Sequence, residues 1–123
     1  MQITSYAQLG QYIESQLNAL QQKAAANNAP HGSMWLDLQY VEFVEGNVPG
    51  VTDPTSGDPM PILVKGNSAA SNIILALKGA PGTPFDPNSP DPNAFGPMPA
   101  IGPLLSAEQI APISAWIDAG CPE

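Results

Sequence analysis

Arginine is absent from this chain, and histidine and cysteine occur once each, as His31 and Cys121. Only Lys23, Lys65 and Lys78 oppose eleven carboxylates, leaving a formal net charge of −8. Binding to phosphate backbones draws on Lys and Arg, so DNA and RNA are excluded as partners. Anionic membrane surfaces are excluded for the same reason. One cysteine rules out an internal disulfide framework and any multi-cysteine metal site. Charged residues make up 11% of the chain, against roughly 25% in ordinary soluble domains. Solubility therefore leans on Asn, Gln, Ser and Thr. No apolar run is long enough for a membrane span. The N-terminus lacks the basic start and apolar core of a signal peptide. With Met1 as the native start the expected compartment is the cytoplasm; as a mature chain, it is the periplasm or the exterior.

What is abundant is punctuation. Fifteen prolines and eleven glycines among 123 residues imply much irregular backbone between apolar helical segments. The whole chain, 1–123, reads as one domain, because its loops are spread too evenly to mark a linker. The strongest helix signal lies near the C-terminus. Ser106 is a predicted N-cap and Gln109 stands where a capping box needs it. Ile110, Ile113 and Ile117 share a helical face beside Trp116, and Gly120 with Pro122 ends the helix. Pro112 removes one backbone donor inside it.

An amphipathic helix is predicted from Thr4 or Ser5 to near Ala25, with Tyr6, Leu9, Ile13, Leu17 and Leu20 on its apolar face. His31–Leu36 reads as a tight apolar link. Asp37 is a predicted cap for a short helix over Tyr40, Val41, Phe43 and Val44, closed by Gly46. The stretch 47–61 reads as loop, and Ile62–Val64 as a brief extended segment. Asn67 or Ser68 opens a helix carrying Ile73, Ile74, Leu75 and Leu77 and ending at Gly79. Residues 80–105 form a second long loop. Loops of such length in a small domain usually surround a site or a cofactor.

Three segments, in order, resemble the class I cytochrome c domain of bacterial proteins. A helix leads into His31-Gly32, where that family has its Cys-x-x-Cys-His-Gly attachment motif. Val64–Ile74 is similar to its glycine-then-serine segment before an apolar helix. Met98-Pro99 through Gly120 resembles its Met-Pro loop and closing helix. The resemblance covers about residues 10–122. It implies an all-α, cytochrome c-like fold of about four helices with long Pro/Gly-rich loops. It also carries the family's haem-iron ligands onto His31 and Met98. The attachment cysteines, however, fall on Asn27 and Pro30, which form no thioether.

Two functions follow. The preferred one is a haem-free module that works by binding or assembly, with a protein partner, no cofactor and no catalysis. The alternative is an electron-transfer protein holding haem non-covalently through His31 and Met98. As structural residues, His31 needs only hydrogen-bond partners at a helix-to-loop corner, and Met98 only a core gap to fill. Bulky Met34, Trp35 and Leu36 are placed to fill an interior that haem has vacated, since empty space forfeits dispersion contacts. Asp53–Asp58 and Asp86–Asn93 offer oxygen ligands for calcium but lack the EF-hand spacing; local turn chemistry is the preferred reading. Cys121, at a helix C-terminus, reads as a half-buried structural residue without a base to activate it.

Overall fold

The computed structural model describes residues 2–19, 34–54, 56–91, 95–96 and 105–123. Within these, five α-helices, one 3-10 turn and a two-stranded antiparallel sheet follow one another along the chain. The expected all-α, cytochrome c-like fold of about four helices is therefore corrected to a mixed architecture. The hairpin β1 (Asn47–Thr52) with β2 (Pro59–Pro61) occupies the stretch predicted as loop.

The physical reason for that miss is a bulge. Gly50 sits at φ 69°, and the register shifts between the pairs Asn47–Pro61 and Thr52–Pro59. Six residues of β1 thus face three of β2, and the alternation that marks a strand is scrambled. Pro59 and Pro61 point outward at a strand that needs few donors, while Met60 between them is buried. The loop closes on itself. The Asp53 N–H donates to the Asp58 carbonyl at 2.8 Å, and the Gly57 N–H returns to the Asp53 carbonyl at 2.8 Å.

Helix α1 (Tyr6–Ala19) starts at Ser5, whose hydroxyl accepts from the Gln8 N–H at 3.2 Å. The predicted continuation to Ala25 lies outside the described residues. Met34–Asp37, expected to be part of a link, forms a short helix, α2. Helix α3 (Tyr40–Glu45) is preceded by Gln39 rather than the expected Asp37, and the Gln39 N–H donates to Glu42 Oε1 at 3.0 Å. The 3-10 turn Ser68–Ala70 is capped by Asn67, and α4 (Asn72–Lys78) follows, closed by Gly79 in the left-handed conformation. Helix α5 (Ala107–Asp118) carries both halves of the Ser106–Gln109 capping box. It runs unbroken past Pro112, which has no N–H to give the Glu108 carbonyl one turn back.

The main core gathers Leu9, Ile13, Phe43, Ile74, Ile113 and Trp116 among others, drawn from α1, α3, α4 and α5. Tyr6 joins the first helix to the last by stacking on Trp116 at 6.5 Å, and meets Phe43 at 5.2 Å. Tyr12 OH donates to the Gln109 carbonyl at 2.6 Å, and Gln109 Nε2 to Gln16 Oε1 at 2.8 Å. A second, smaller cluster of Met60, Ala76 and Phe85 lies under the hairpin. No described helix is long and apolar enough to cross a membrane.

Candidate functional site

His31 and Met98, the two residues proposed to grip haem, lie outside the described residues, as do Asn27 and Pro30. What the structure describes is chain that flanks them in sequence. Phe95 and Gly96 both donate their N–H to the Pro84 carbonyl, at 2.8 and 3.2 Å. The chain is thereby pinned just before Met98, with the Phe95 ring 5.8 Å from Phe85. Trp35, four residues after His31 in sequence, donates its Nε1–H to Glu14 Oε1 at 2.8 Å, and both side chains are buried. A charge-assisted bond of this kind compensates the burial of a carboxylate.

The aromatic interior where α1, α3 and α5 meet is filled by the chain's own rings. Phe43 is 0% and Trp116 1% exposed. Tyr6, Phe43 and Trp116 contact one another at 5.2–6.5 Å between centroids. Trp35 and Met34 are buried in the same core, whereas Leu36, expected to fill the interior with them, is 51% exposed.

Cys121 is more buried than expected, at 0% exposure. Its Sγ approaches the Ile117 carbonyl at 3.9 Å, and its backbone takes φ 56°, rare outside glycine. Burial pushes the thiol above its ordinary 9.0, with the Gly66 N–H and Lys65 pulling it partly back. A thiol held protonated in this way is inert as a nucleophile near neutral pH. Tyr6 is likewise raised above 10.0, by burial first and then by Glu42 and Asp37, and Tyr12 is raised by burial. All three groups are acids whose folded values lie above their unfolded ones. Their contribution is complete below about pH 9 and is lost as pH climbs through 9–10 and beyond. Stability measured by urea unfolding should therefore be level from pH 6 to 8 and fall above pH 9. A constant midpoint to pH 11 would contradict the burial of these hydroxyls and this thiol.

The acidic loops serve their own turns. Asp86 accepts from the Gly82 N–H at 3.0 Å and the Asn88 N–H at 2.8 Å, and these bonds hold its carboxyl below the usual value. Asp53 accepts from the Ser56 N–H at 3.0 Å. Among the described residues no group of His, Cys, Asp and Glu is arranged to hold a metal ion. Asp118 has a role the sequence did not reveal. Its two oxygens take the Ser68 N–H at 2.8 Å and the Ser68 hydroxyl at 2.9 Å, clipping the 3-10 turn to α5. Ser71, fully buried, accepts from the Val64 N–H at 2.9 Å and donates to the Asn67 carbonyl at 2.8 Å. The burial of Glu14, an acidic residue within α1, is likewise not legible in the sequence. Compared with known protein families, curated proteins and solved structures, the chain matches none of them.

Proposed function

We propose that this chain is a haem-free, non-catalytic binding or assembly module for a protein partner. The observation that carries the reading is the aromatic junction of α1, α3 and α5. There Tyr6, Phe43 and Trp116 supply from the chain itself the volume that a prosthetic group would otherwise provide. The replacement of both attachment cysteines by Asn27 and Pro30 points the same way. The inert, buried Cys121 supports a role without covalent catalysis. The acidic surface, with no arginine on it, favours partners of opposite charge over nucleic acid.

The test has two arms. The purified protein should show no Soret absorption and take up no added haemin. Tagged protein returned to its native extract should co-purify with a protein in fixed stoichiometry. Haemin uptake whose spectrum is abolished by His31→Ala and Met98→Ala would overturn the proposal in favour of electron transfer.

A further inference from the structure

Among the described residues, the two most exposed large aliphatic side chains are Val41, at 59%, and Leu36, at 51%. They stand on successive helices. Leu36 projects from α2, its Cδ2 beside Gly10 of α1, and Val41 projects from the first turn of α3. Three exposed carboxylates accompany them: Asp37, Glu42 and Glu45. Val41 and Glu45 are one turn apart on α3 and share a face. Asp37 closes α2, Glu42 lies in the first turn of α3, and both act electrostatically on the Tyr6 hydroxyl. That hydroxyl is fixed at the joint of the two helices by its bond to the Leu38 carbonyl at 2.7 Å. The ridge is held rigid from below. Gly10 lets the Trp35 carbonyl approach α1 closely, and the Tyr6 ring meets Tyr40 at 5.9 Å.

Building on the binding role proposed above, we infer that the α2–α3 ridge is the docking surface, and that its occupant is a basic amphipathic helix of a protein partner. The choice of occupant follows from charge. Two apolar anchors flanked by three carboxylates match a helix that alternates Leu-type side chains with Lys or Arg. An acidic peptide would meet like charge, and a second copy of this chain would set the same three carboxylates against themselves. Opposite charge steers the encounter, and the aliphatics supply desolvation at the centre.

The probe is a fluorescein-labelled amphipathic helix of Leu and Lys, with a Leu/Glu helix of the same pattern as its counterpart, read by anisotropy. The intact chain should bind the Leu/Lys helix and ignore the Leu/Glu one. Combined Asp37→Asn, Glu42→Gln and Glu45→Gln should weaken binding about tenfold. Combined Asp58→Asn, Glu108→Gln and Glu123→Gln remove the same charge elsewhere and should weaken it less than about twofold. Leu36→Gln with Val41→Ser should weaken binding about tenfold at a salt concentration that screens the charges. Amide shifts on titration should map to 36–45. Equal losses in the two charge variants, shifts centred elsewhere, or no binding of the Leu/Lys helix would each overturn the inference. Such a failure is separable from failure of the binding role itself. That role is decided by haemin uptake and by the stoichiometric native complex, which a partner seated elsewhere would still form.

Discussion

Trp116→Ala should bring the protein close to unfolding at ambient temperature, with a loss of about 3–5 kcal/mol. The indole is 1% exposed and lies among Tyr6, Phe43 and the isoleucines of α5. Its removal deletes two ring contacts, each worth about 0.5–1.5 kcal/mol beyond area. It also deletes the bond from Nε1 to the Pro122 carbonyl at 2.8 Å. Small domains hold about 5–15 kcal/mol in all, so little margin remains. Thermal unfolding should move down by on the order of 15 °C. Trp116→Phe separates the contributions: it keeps an aromatic ring, loses the N–H, and should cost only about 1–2 kcal/mol. A small effect of the alanine variant would mean that the junction of the helices is not where stability is concentrated.

Gly10→Ala should destabilise, against the usual direction. In an exposed helix interior this change gains about 1 kcal/mol, because glycine has more backbone freedom to lose. Here a Cβ would stand 2.6 Å from the Trp35 carbonyl oxygen and 3.0 Å from Leu36 Cδ2. The first neighbour is backbone and cannot rotate away, so α2 must lift off α1. Overpacking of this kind costs about 1–3 kcal/mol and outweighs the helical gain. The displacement would also stretch the Trp35–Glu14 bond of 2.8 Å, and a change in tryptophan emission should accompany the loss. A rise in unfolding temperature would show that α2 is not seated as described. The two variants probe the same helix assembly, one by removing volume and the other by adding it.

The parts of this fold that announce themselves in sequence are those with local causes. Ser106 and Gln109 form their capping box, and Gly79 closes its helix in the left-handed conformation, because one residue's chemistry decides each. The apolar face of α1 is read correctly for Leu9, Ile13 and Leu17, since period alone picks out the buried side. The hairpin escaped because Gly50 breaks the alternation, and prolines in a paired strand resemble prolines in a loop. Helix α2 escaped because four residues are too few to show a period. At the site, the Gly66 N–H and Lys65 act on the Cys121 thiol from a distant segment, which spacing cannot reveal. Asp118 and Ser68 are fifty residues apart in sequence, and their clip is a tertiary event. The surface charge was legible from composition, but its pairing with exposed Leu36 and Val41 was not. Amphipathic periodicity predicts which positions face inward and fails for an aliphatic residue that defies it.

The chain's one sulfhydryl is sealed under its closing turn. Tyr40 OH holds the Cys121 carbonyl, and the Cys121 N–H reaches the Trp116 carbonyl at 3.0 Å. A thiol reagent can reach the sulfur only while that turn is detached. Modification kinetics in excess reagent thus count the detachments directly, and their urea dependence separates local fraying from whole-molecule opening. The molecule carries its own clock for the motion of its tail, with no foreign probe installed.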